Sequence, residues 1–206
     1  MKKILLFTFS AICFLNIDAQ KRKRYNWQEE VRFSIDPHVK IMAALGDNFI
    51  KDVFGYFYGF GIGGNINIYK NFGLGAEYTY FLANDVRKPE VFGYLGAPSM
   101  SNFDWYLFHK DAISEDFAVE ELLGYSTYRM KSPYLDNSGN FKEGNGGLNL
   151  GARIIYTLDN EGYQQVVFGT KINFYNSRIG NQNAEIEKYF SKAVFLNFSL
   201  AYRYQF

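Results

Sequence analysis

The chain has little with which to do covalent or metal chemistry. Among its 206 residues there is one cysteine, Cys13, with four prolines and two histidines. Its 22 basic residues nearly cancel its 21 acidic ones, for a net charge of +1. Near-neutrality leaves no electrostatic case for a nucleic-acid or other polyanionic partner. There is no phosphate-cradling Gly-Lys-Ser/Thr loop, no His-Glu-x-x-His and no cluster with metal-ligand spacing, so no cofactor and no metal are expected. Gly59-x-Gly61-x-Gly63-Gly64 superficially matches a dinucleotide loop, but no helix follows it.

The apolar run Ile4 to Leu15 is too short to cross a bilayer as a helix. With Met1-Lys2-Lys3 before it and Asn16-Ile17-Asp18-Ala19 after it, the run reads as an export signal cut before Gln20. A lipoprotein signal at Cys13 is the rival, disfavoured by the bulky Ile12 in front of it. Residues 1–19 are thus expected to be a signal peptide and 20–29 a periplasmic N-terminal segment. Losing Cys13 with the signal excludes disulfides, thiolate catalysis and Cys-ligated metals from the mature chain. The run Lys21-Arg22-Lys23-Arg24 reads as a solvated tail.

Aromatic residues, by contrast, are abundant. There are 17 Tyr and 21 Phe beside 19 Gly, a balance that suits many packed strands and fits long helices poorly. Residues 31–45 alternate throughout: Val31, Phe33, Ile35, Pro37, Val39, Ile41, Ala43 and Leu45 share one face, and Arg32, Ser34, Asp36, His38 and Lys40 share the other. Pro37 has no amide hydrogen to donate, so a bulge or weak pairing is expected there. Similar alternation predicts strands over 30–45, 54–69, 72–83, 147–158, 163–176 and 193–206. Two more are placed near 99–108 and 119–130, although Glu115 to Glu121 also carries a helical pattern. Residues 131–146, rich in Gly, Asn, Asp and Pro, read as a loop.

A soluble barrel would alternate too, so composition must decide which face is outside. One face is Leu, Ile, Val and Phe with aromatics near the strand ends. The other is Gly, Asn, Ser and Thr with few charges. The first suits a lipid band and the second a crowded interior. If the first strand rises from the periplasm, 70–71 and 159–162 are short inner turns, while 46–53, 131–146 and 177–192 are longer outer loops, as transmembrane barrels require.

The export signal, the long alternating strands and the closing Leu200-x-Tyr202-x-Tyr204-x-Phe206 resemble small outer-membrane β-barrel proteins of the OmpA/OmpX-like superfamily. The resemblance implies an all-β, closed, antiparallel up-and-down barrel of eight strands over 30–206, embedded in outer-membrane lipid as a monomer. It also implies that Leu200, Tyr202, Tyr204 and Phe206 are the signal read by the barrel assembly machinery.

Parity points Arg32, Asp36, His38, Lys40, Glu77, Arg153, Lys171 and Arg203 into the lumen. An eight-stranded lumen is just wide enough for side chains to fill. A paired structural network is therefore the leading expectation, because unpaired burial is costly. Gly55, Gly59, Gly61, Gly63, Gly73 and Gly75 read as room for large lumen neighbours. The expected role is non-enzymatic, structural or surface-binding, with loops 84–98, 131–146 and 177–192 as binding surfaces. The alternatives are a narrow channel or carrier for small solutes, and a lipid A-modifying enzyme. The enzyme reading rests on Ser34, Asp36 and His38 sharing a face, which could mimic a triad, and on His109 near Asp111.

Overall fold

A computed structural model describes residues 31–87, 95–135, 138–159, 161–176 and 184–206. The expected signal peptide and the segment 20–29 lie outside the described residues, as do parts of the three expected binding loops. The elements are β1 (Phe33–Leu45), α1 (Phe49–Val53), β2 (Phe57–Tyr69), β3 (Phe72–Ala83), β4 (Ser99–Ala112) and β5 (Phe117–Pro133). They are followed by β6 (Asn140–Thr157), β7 (Gln164–Asn176), α2 (Ala184–Ser191) and β8 (Lys192–Gln205). Each strand pairs antiparallel with the next, and β8 returns to β1, so the sheet closes into an eight-stranded up-and-down barrel. Closure leaves no edge strand open along the wall.

The period-2 pattern makes the wall two-faced. Outward positions on every strand are apolar yet exposed: Val39 at 57%, Phe60 at 63%, Leu107 at 54%, Leu148 at 60% and Phe198 at 57%. Inward positions carry Asp, Glu, Lys, Arg and Asn, and are buried. That inverts the arrangement of a water-soluble protein, and the apolar area runs around the whole barrel rather than forming a patch.

Connections sort by length to the two ends. Residues 70–71, 113–116 and 158–163 are tight links at one end, hereafter the turn end. Lys70 takes a φ of +49° in the first of these, and Gly162 one of +78° in the third. There the Asp159 carboxylate accepts from the Tyr163 and Gln164 amides at 3.3 and 3.0 Å, which fixes the reversal. The opposite, loop end carries 46–56, 84–98, 134–139 and 177–191. Asn48 caps α1 by accepting from the Lys51 amide at 3.0 Å.

Several sequence expectations need correction. Residues 131–146 are mostly strand: every residue of β5 from Phe117 to Pro133 pairs with β6, and β6 begins at Asn140. The glycines that suggested a loop are strand positions in close contact. A side chain at Gly146, for example, would run into the Tyr125 ring. The helical pattern over Glu115 to Glu121 is overridden by pairing, since β5 is already extended from Phe117. Strand β4 runs four residues beyond the expected 108, because it keeps pairing with β5 as far as Ala112. Two helices, α1 and α2, lie in segments expected to be loop. Pro37 behaves as anticipated: it pairs with Ile62 on β2, whereas the β1–β8 ladder skips Asp36 and Pro37 between Ile35↔Tyr204 and His38↔Ala201.

Candidate functional site: the barrel lumen

The centre of the lumen is a chain of ion pairs fed by seven strands. Arg203 (β8) donates from Nε to both Asp36 oxygens (β1) at 3.0 Å, and from Nη1 to Glu120 (β5) at 2.6 Å. Glu120 also lies 3.6 Å from Arg153 (β6), whose Nη2 donates to Glu77 (β3) at 3.0 Å. Glu77 is the hub, since it also accepts from Lys40 (β1) at 2.5 Å and from Lys171 (β7). Lys171 ends the chain on Asp104 (β4) at 2.8 Å. Four cations face four carboxylates, none more than 8% exposed at the side chain.

Neutral groups complete the shell. Asn65 of β2 donates to Asp36 at 2.7 Å and accepts from Tyr106 at 2.8 Å, and Tyr106 in turn accepts from Arg153 at 2.9 Å. The Arg153 guanidinium and the Lys171 ammonium also sit over the Tyr106 ring, 4.7 and 5.0 Å from its centroid. Asn102, Ser126, Asn173, Tyr175 and Asn197 form a second net towards the loop end. The void bounded by Lys40, Glu77, Arg153 and Lys171 measures about 10 Å³, room for a single water.

Above these nets the lumen turns apolar. Met42, Phe57, Phe81, Met100, Tyr128, Met130, Tyr175 and Phe195 point inward from the strands. Phe49, Ile50, Val53 and Phe54, from α1 and its end, fill the space between them. Phe195 packs against Phe57, Tyr128 and Tyr175 with ring centroids 5.5–6.4 Å apart. Helix α2 adds Phe190, 5.3 Å from Phe49. The Tyr189 hydroxyl donates to Asp52 of α1 at 2.9 Å; burial, then the acceptor carboxylate, raises its pKa to about 12.

Seven of the eight expected lumen residues are brought together here: Asp36, His38, Lys40, Glu77, Arg153, Lys171 and Arg203. Arg32 precedes β1 and is half-buried, with its carbonyl accepting from the Asn67 amide. The expected glycine clearances are present, with Gly59 against Phe81, Gly73 against Phe108 and Gly75 against Tyr106. The Ser34, Asp36, His38 stack assembles no triad. Ser34 donates to the Asp36 carboxylate at 3.2 Å, while His38 Nδ1 faces the Asp36 backbone carbonyl and Nε2 faces Thr79 at 2.8 Å. Among the described residues, no hydroxyl therefore has an imidazole base that is itself oriented by a carboxylate.

Asp104, Tyr106 and Glu120 were missed. Their signal was Asn102, Asp104 and Tyr106 alternating with Phe103, Trp105 and Leu107, masked because Tyr106 and Phe108 make the polar face look apolar.

A closed barrel with an apolar outer wall, a charge-paired lumen and tight turns at one end has the fold of the small eight-stranded outer-membrane barrels. Several solved structures share it, three of them as follows. NspA, a Neisserial surface protein, matches with a TM-score of 0.58 and 11% identity over 85% of this chain and 97% of its own. Ail, the attachment invasion locus protein of Yersinia pestis, matches at 0.56 and 12% over 86% of this chain and all of its own. OprG from Pseudomonas aeruginosa matches at 0.56 and 10% over 87% and 97%. At these identities the likeness is one of fold. No protein-family profile and no curated protein matches the sequence.

Proposed function

We propose that this protein sits in the outer membrane as a closed, non-enzymatic barrel, in a structural or surface-binding role carried by its loop end. The observation that carries the reading is the filled lumen. A plug of paired charges spans the barrel's waist, and an apolar cluster seals the loop end above it. Moving a hydrated ion through would require breaking buried ion pairs whose partners have nowhere else to go. The exposed apolar wall supports a lipid environment, because nothing else removes that much apolar surface from water on every strand.

In this setting the turn end faces the periplasm and the loop end faces outward. Leu200, Tyr202, Tyr204 and Phe206, all lipid-facing on β8, present the assembly signal, and the chain works as a monomer. Surface contact is also the role carried in the name of the attachment invasion locus neighbour.

Three measurements test the reading. Recovery in the outer-membrane fraction with heat-modifiable gel migration is expected; a freely soluble periplasmic protein overturns the membrane placement. In planar bilayers no discrete openings are expected, and steps of reproducible conductance would replace the closed barrel with a narrow channel. Unaltered lipid A mass on expression is expected of a non-enzyme.

A further inference from the structure

Outside the lumen, the wall carries a second cluster of titratable groups near the turn end. His109 and Asp111 are both outward on β4, and Glu121 is the direct cross-strand partner of His109 on β5. His109 Nδ1 lies 3.1 Å from Glu121 Oε2 and 3.5 Å from Asp111 Oδ2, and the three ligand atoms all lie within 4.8 Å of one another. We propose that His109, Asp111 and Glu121 form a binding site for a divalent transition ion of the zinc type on the outer wall of the barrel.

The spacing is what such an ion needs. With metal–ligand bonds of about 2.0–2.2 Å, the edges of a tetrahedron are about 3.3–3.6 Å long. The two nitrogen–oxygen separations match those edges within a few tenths of an ångström. One imidazole with two carboxylates selects a borderline ion such as zinc over calcium or magnesium, which favour all-oxygen shells. A fourth position stays open to solvent.

The ligands are also held in place. The His109 ring packs on Phe72 of β3 with centroids 4.6 Å apart. Asn71 donates to Asp111 Oδ1 at 3.3 Å, which leaves Oδ2 turned towards the imidazole. Such outer partners orient ligands and fix their basicity. The Leu107–Leu123 pair lies immediately loopward, so two carboxylates stand at the border of the apolar wall. A bound dication would neutralise charges that this border otherwise leaves facing an apolar surface.

The test is titration of untagged, micelle-folded protein with zinc chloride, followed by calorimetry and by NMR of the imidazoles. The sequence holds two histidines, so the rings are resolved individually. One zinc per chain is expected, with the His109 ring shifting and the His38 ring unmoved. His109→Ala and Glu121→Gln should each weaken binding by at least about tenfold, and Asn71→Ala by about tenfold, with heat-modifiable folding retained. Glu115→Gln, in the adjacent turn, should bind as the parent does, and an equal concentration of magnesium should not compete. Zinc binding undiminished in His109→Ala, or a His109 ring unshifted at millimolar zinc, would overturn the site and leave a simple hydrogen-bonded imidazole.

Discussion

Glu77→Gln is the sharpest perturbation the lumen offers. The side chain keeps its shape but loses its charge, while Lys40, Lys171 and Arg153 remain aimed at it. The amide has one accepting oxygen, and its NH2 group would meet a cation donor to donor. The chain of ion pairs changes from four cations against four carboxylates to four against three. For a buried pair, removing one partner costs about 3–5 kcal/mol, whereas an exposed pair is worth at most about 1 kcal/mol. Side-chain exposures of 4–8% put this hub in the first class. Urea titration of protein folded in vesicles, extrapolated linearly to water, should therefore show a loss of about 3–5 kcal/mol. Adding Lys40→Met restores balance at three against three and should recover at least about 1 kcal/mol of it. A loss below about 1 kcal/mol, with no recovery in the double variant, would mean that the lumen is wet and well screened, and the plug reading would fail with it.

Three further substitutions probe other layers. Phe195→Ala removes a fully buried ring from the apolar cluster and should cost about 3–5 kcal/mol in the same assay, while bilayers stay silent because the ion-paired waist is intact. Gly75→Val would drive its side chain into Tyr106 and Asn65, and should cost about 1–3 kcal/mol by overpacking, with a downward shift of the gel-migration transition temperature as the readout. Val39→Arg, on the outer face midway along β1, should cost about 2–4 kcal/mol if that face meets lipid. A change within about 0.5 kcal/mol, as for an ordinary surface position, would argue for water there.

Much of the barrel was legible in the sequence because a two-faced wall imposes a strict local rule. Outward residues in the middle band of the wall are apolar, so β1, β2, β3, β7 and β8 show themselves by alternation alone. The rule weakens where the inward face also becomes apolar. Met100, Phe108, Met130 and Leu122 all point into the lumen, so β4 and β5 lose the contrast on which the pattern depends. It weakens differently in β6, where Gly144, Asn145 and Gly146 lie in a strand that tolerates them because β5 pairs with it along that whole stretch. Composition there describes packing room, not chain reversal. Helix α1 was hidden for a third reason, since five residues are too few to show a period.

The lumen was legible one residue at a time but not as a circuit. Parity on a single strand places Asp36, Glu77 or Arg203 indoors, yet who pairs with whom depends on register around the closed sheet. The Arg203–Asp36 contact joins residues 167 apart in sequence, and Arg153–Glu77 joins residues 76 apart. Charge counting nevertheless supplies a constraint that parity does not. The expected lumen set held five basic residues, Arg32, Lys40, Arg153, Lys171 and Arg203, against two acids, Asp36 and Glu77. So large an imbalance cannot be buried in a closed barrel without partners. Partners must come from other strands of the closed sheet. Asp104 on β4 and Glu120 on β5 are those partners, and together they fix which face of both strands turns inward. Pairing of buried charges around the closed sheet therefore helps to set strand register, alongside the hydrophobic pattern of the wall.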